Sequence, residues 1–169
     1  MSFMKHVQIL AVTLTRQAAQ ALATTVEATP NDRLAWQPLD QGRSILQQLI
    51  DCALANLKWA LVLENHEYSR LPRAFKDVAE MALTTRESAL ARLQENVARL
   101  ATAIEALDDD EIGRVLPVPA EDGVDLTVAE ACLSAYWNMV YHEGQMRYIQ
   151  TLYGDMTLQS AYLDTLTTS

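Results

Sequence analysis

One imidazole and two carboxamides share a single helical face in the stretch 127–153, TVAEACLSAYWNMVYHEGQMRYIQTLY. Val128, Cys132, Ala135, Met139, His142, Met146, Ile149 and Tyr153 follow one another there at steps of four and three. That spacing lines side chains up on one side of an α-helix. His142 stands in the middle of the apolar stripe, with Asn138 one turn before it and Gln145 nearly one turn after. Three polar side chains turned toward a core must satisfy one another or serve a ligand, because burial without partners is costly. An imidazole in that position can ligate a metal or act as a general base. The pocket expected around it is built from Asn138, Tyr141, His142 and Gln145, with Asn56 and Trp59 from an earlier inward-facing stripe. The plainer reading is a hydrogen-bonded core histidine, and a lone inward Asn56 is commonly structural as well. In that case His142 is a neutral, buried imidazole bonded to Asn138 or to an inward polar group of another helix.

The remaining reactive side chains add little. Cys52 and Cys132 lie on apolar stripes and read as buried, reduced thiols. Cys132 is about 15 Å along the helix from His142, too far to share its site. His6 and His66 read as surface residues.

Four long helices must position these groups. The spacing predicts helices over 3–27, 44–65, 84–107 and 127–153. The first shows Phe3, Val7, Leu10, Leu14, Ala18 and Ala21 on one face; the second shows Ile45, Leu49, Cys52, Asn56, Trp59 and Leu63. The third alternates Leu90, Leu93, Val97, Leu100, Ile104 and Leu107 in a heptad-like pattern suited to small crossing angles. Three capping boxes start helices: Ser44 with Gln47, Thr84 with Glu87, and Thr127 with Glu130. Between the helices, 28–43 reads as a packed loop and 66–83 as a long crossover holding at most a short helix. The acidic run 108–111 reads as the opening of a turn, and 113–126 as a loop or hairpin. Gly154 suits a left-handed stop, and 157–166 reads as a short tail helix. The class expected is all-α, a four-helix bundle with long crossover connections and a short C-terminal helix, forming one domain over 1–169.

The chain has 169 residues, half of them hydrophobic, and a formal net charge of −9. Its 13 Lys and Arg are dispersed, which argues against a nucleic-acid backbone as partner. The candidate helices lack a basic polar face, which argues against a membrane surface. With no secretory pattern and no membrane span in the sequence, the expected location is the cytoplasm.

The segment Trp36-Gln-Pro, then Gly42-Arg-Ser44-Ile45, and later His142-Glu-Gly-Gln145 before Tyr153-Gly154, resembles the DinB/YfiT-like superfamily of metalloenzymes over about residues 3–155. The resemblance implies a four-helix bundle, commonly a homodimer, in which three histidines hold a divalent metal. Characterised relatives include thiol-dependent transferases and a mycothiol-dependent isomerase, which implies a small-molecule or thiol ligand. Transferred position by position, the ligand set becomes His142, Asn138 and Asp51, so one imidazole of three is kept. An amide oxygen is a weak ligand beside imidazole, and this set should hold nickel, zinc or iron poorly. Asp51 also lies off the strongest apolar arc of its helix and competes for a solvated role. Two functions are therefore weighed. One is a dimeric small-molecule-binding or structural bundle without the metal site; the other is a metal- or thiol-dependent transferase or isomerase using an Asp/Asn/His site. A homodimer is expected from the resemblance and from the wide apolar circumference of helix 44–65.

Overall fold

Ser44 shows how the bundle's elements begin. Its hydroxyl accepts the Gln47 amide at 3.2 Å, and Gln47 Oε1 accepts the Ser44 amide at 2.9 Å, so two orphan donors are satisfied reciprocally. A computed structural model describes residues 3–121 and 123–157. The helices are α1 (Phe3–Glu27), α2 (Ile45–Asn65), α3 (Arg73–Ala82), α4 (Arg86–Ala106), α5 (Asp109–Ile112) and α6 (Val128–Leu152). Two 3-10 turns, Asn31–Arg33 and Pro38–Asp40, punctuate the α1–α2 connection. A two-stranded antiparallel ribbon, β1 (Val115–Leu116) and β2 (Leu126–Thr127), precedes α6. The all-α four-helix bundle is therefore present, with α3 and α5 as short additions. The tail helix expected over 157–166 lies almost wholly outside the described residues.

α2 packs between α4 and α6, and α1 closes the bundle against the same two helices. α1 and α2, consecutive long helices, barely touch. The predicted stripe of α2 is buried throughout, as is that of α6 from Val128 to Ile149. The wide apolar circumference of α2 is taken up by α4, α6 and α3 within the chain. Polar ties join the layers: Asn96 Nδ2 donates to Ala53 O at 2.8 Å, and Gln150 Nε2 donates to Thr25 O at 2.9 Å. Among the described residues no helix is long and apolar enough to cross a membrane.

Three expectations are corrected. On α1 the core side is Ala11, Thr15, Ala18, Leu22 and Val26, while Leu10 is 54% exposed and Ala21 faces solvent. Apolar residues occur all round this helix, so spacing alone does not choose a face. The face that wins begins with small side chains, Ala11, Thr15 and Ala18, continues with Leu22 and Val26, and packs against α4 and α6. The acidic run does more than open a turn: Asp108 caps α5 by accepting the amides of Asp110 and Glu111 at 3.0 and 2.9 Å. Carboxylates are favourable at a helix N-terminus, where amides point outward. The third correction concerns the start of α4. The cap is Thr85, reciprocated by Ser88, instead of Thr84 with Glu87. Leu83 is buried and closes α3 by donating its amide to Ala79 O at 2.9 Å, so Thr84 is needed as a spacer.

The register of that cap is testable. Thr85→Ala should lower unfolding free energy by about 1 kcal/mol in urea titrations, and Thr84→Ala by less than about 0.5 kcal/mol. Equal losses would place the helix start elsewhere.

Candidate functional site

α2 and α6 face each other through polar residues at one level of the bundle. α2 supplies Gln48 and Asp51, three residues apart and so on the same side of the helix. α6 supplies Asn138, His142 and Gln145. His142 is 5% exposed, and Asp51, at the edge of the interface, is about a third exposed. His142 Nε2 donates to Asp51 Oδ2 at 3.0 Å. Its Nδ1 lies 2.9 Å from Gln145 Oε1 and 3.2 Å from Gln48 Oε1. Both ring nitrogens are therefore engaged, and the Gln48 amide is itself oriented by its Nε2, which donates to Arg43 O at 3.3 Å.

Asp51 is the hub. Besides His142 it accepts Asn138 Nδ2 at 3.5 Å, and its Oδ1 lies 3.4 Å from Arg43 Nη2. The hydrogen bond from His142 is the largest influence pulling its carboxyl down from the ordinary 3.8 to about 2; burial opposes this, and the Arg43 charge assists it. Of the two kinds of partner expected for His142, polar groups of another helix are the ones found, Asp51 and Gln48, while Asn138 reaches Asp51 instead of the ring. Asp51 is held in this network while about a third of its side chain stays exposed. Asn138 Oδ1 is buried without a partner among the described residues.

A cavity of about 510 Å³ opens beside the network. Gln48 and Gln145, which hold Nδ1 of His142, form part of its wall, and Arg43, Tyr141, Gly144 and Tyr148 form much of the rest. Of the residues expected in a pocket, Tyr141 and Gln145 line this cavity, and His142 and Asn138 sit behind it. Asn56 and Trp59 are not brought to it. Asn56 Nδ2 donates to Cys52 O at 2.9 Å and lies 3.4 Å from Met139 Sδ, inside the core. Trp59 meets Tyr68 edge-on, at 6.2 Å between ring centres. Cys52 and Cys132 are buried free thiols, the first pushed well above its ordinary value by burial and the second up to about 12 for the same reason. His66 pairs with Glu111 at 2.9 Å, far from this network in the α2–α3 connection.

Sequence reasoning missed Arg43, Gln48, Gly144 and Tyr148 as lining residues. One signal was present: Gln48 and Asp51 are polar, at i and i+3, inside an otherwise apolar helix.

A family model described as the DinB superfamily matches residues 14–146. The chain belongs to the DinB superfamily. This DinB bundle superposes on a structure of YfiT from Bacillus subtilis, called a probable metal-dependent hydrolase with an unusual four-helix bundle topology. The TM-score is 0.74 at 16% identity, covering 87% of each chain. A mycothiol-dependent maleylpyruvate isomerase is also similar, with TM-score 0.63 at 14% identity; 86% of this DinB chain aligns to 63% of the isomerase. At these identities the likeness is one of fold. No curated protein matches the sequence.

The donors that face a would-be cation in this DinB chain are one imidazole nitrogen, one carboxylate and an amide presenting its nitrogen to that carboxylate. Among the described residues no three His, Cys, Asp or Glu side chains gather.

The depressed carboxyl of Asp51 carries a sign. Its stabilising contribution is full above the ordinary value of 3.8 and is lost as pH falls toward about 2. Acid titration of the native state by circular dichroism should show a limb in this window that shrinks in Asp51→Asn. His142→Ala, which strands Gln48 and Asp51, should cost about 1–3 kcal/mol at neutral pH.

Proposed function

We propose that this protein is a DinB bundle that binds a small molecule, and that a hydrogen-bonded Asp51–His142 pair stands where metal-dependent relatives carry their ion. The observation that carries the reading is the shared carboxylate. Asp51 is engaged at once by His142 at 3.0 Å, Asn138 at 3.5 Å and the Arg43 guanidinium at 3.4 Å. A divalent cation would have to displace a hydrogen bond and sit beside a fixed positive charge. Nickel, zinc and iron favour imidazole or thiolate, and a single imidazole with one carboxylate does not fit them tightly. What the residues can do without a metal is hold and exchange a proton at His142, with Asp51 fixing the ring's orientation.

One atom favours the second reading, a metal- or thiol-dependent transferase or isomerase using Asp51, Asn138 and His142. Asn138 Oδ1 is buried and without a partner among the described residues, and a turn of the amide would offer that oxygen as a third ligand atom. The homodimer belongs to the proposal on family resemblance alone, because the apolar surface of α2 is covered inside the chain.

Elemental analysis of protein purified without added ions separates the readings. The expected result is well below one nickel, zinc or iron per chain, unchanged in His142→Ala. Near-stoichiometric metal that is lost in His142→Ala would put the transferase reading first. Sedimentation at micromolar concentration should give the mass of two chains; a monomer would remove the dimer from the proposal.

A further inference from the structure

The cavity beside the His142 network has a chemistry that narrows its ligand. Arg43 is the one charged side chain among the described residues that line it, in a chain of net charge −9. A guanidinium offers five N–H donors in a planar fork. The contacts the Arg43 guanidinium makes among the described residues use only Nη2, 3.4 Å from Asp51 Oδ1 and 3.5 Å from Gln47 O. Both are long, and Nε and Nη1 are left for another acceptor. Gln145 spends its oxygen on His142 and has its NH2 group to offer to the same cavity.

Gly144 supplies the second feature. Glycine is unfavourable inside a helix, yet it stands in the middle of α6. No positive φ requires it, since the positive-φ glycines are Gly123 and Gly154. Packing does not require it either: a Cβ at this position would meet no atom within 4 Å. What its bare backbone leaves is an open floor. Tyr141 and Tyr148 flank that floor, about 10 Å apart along the helix axis at its usual rise, and are 63% and 65% exposed. Two aromatic side chains on either side of a missing one form a slot for a flat group, which they can meet edge-on or in offset stacking.

We propose that this cavity binds a small planar carboxylic acid, its carboxylate on Arg43 and Gln145 and its ring or conjugated body over Gly144 between Tyr141 and Tyr148. The inference rests on the small-molecule reading above and adds the ligand class to it. A carboxylate matches the guanidinium fork with two parallel hydrogen bonds, which a neutral amide of the same shape does not.

Calorimetric titration of the full chain with benzoate and cinnamate, against benzamide and cinnamamide, tests it. The acids should bind about tenfold or more tightly than the amides, the difference between charge-assisted and neutral hydrogen bonds. Arg43→Gln should abolish that preference. Gly144→Leu should weaken acids and amides alike, with Gly144→Ala intermediate, and neither variant should lower the melting temperature. Equal affinity for acids and amides, or a preference that survives Arg43→Gln, would overturn the carboxylate class while leaving a small-molecule site. Wild-type affinity in Gly144→Leu would overturn the slot. Failure of both acids and amides to bind would overturn this inference together with the small-molecule reading; that reading's account of the metal position stands or falls separately, on the elemental analysis.

Discussion

An imidazole withdrawn from water has to be given hydrogen-bond partners, and in this bundle that requirement governs how α2 and α6 meet. His142 is 5% exposed and both of its nitrogens are occupied, one by Asp51 and the other between Gln48 and Gln145. Sliding α6 along α2 by a turn would strand the ring and its α2 partners against apolar side chains, each at the cost of an unsatisfied buried group. The polar contact thus specifies register, while the surrounding apolar stripes supply most of the attraction. The capping of α2 belongs to the same arrangement. Ser44 fixes where the helix starts, and Arg43, the residue just before it, is thereby set against Asp51.

Asp51 concentrates the electrostatics of the site in one carboxylate. Burial raises the cost of its charge, yet three donors on two oxygens more than offset this. Where a metal centre would draw several anionic or neutral ligands around one cation, here one anion draws an imidazole, an amide and a guanidinium. The bundle that this chain shares in fold with a protein called a probable metal-dependent hydrolase here gathers three donors around one carboxylate.

Much of this was legible from residue spacing. Four apolar stripes and the Ser44 and Thr127 boxes located the long helices, because alternating steps of three and four, sustained over several turns, match the period of an α-helix and not that of a strand. The face of α1 was not legible, since Ile9, Leu10, Ala11 and Val12 run consecutively and only the neighbouring helices decide which are covered. The α4 cap was displaced by one residue because Thr84 and Thr85 are both competent, and the burial of Leu83 settles between them. At the site, Asn138, His142 and Gln145 announced themselves by sharing one face. Arg43 and Gln48 did not, because their relation to His142 runs across roughly a hundred residues of chain and exists only once two helices are packed. Asn56 and Trp59 were drawn in by an inward-facing pattern that cannot tell one level of a bundle core from another.

The order in which helices neighbour one another has a kinetic corollary. Because α1 barely touches α2 and leans on α4 and α6, its apolar face has no adjacent helix to cover it when it is first made. The α2–α4 pair can form early, but the bond between Asp51 and His142 closes a loop of 91 residues, and that between Thr25 and Glu143 one of 118. Long-range closures of this kind slow folding and leave hydrophobic surface uncovered in the interval. During synthesis α1 can be covered in part once α4 has emerged, but the cover is completed only by α6, the same helix that brings His142 to Asp51.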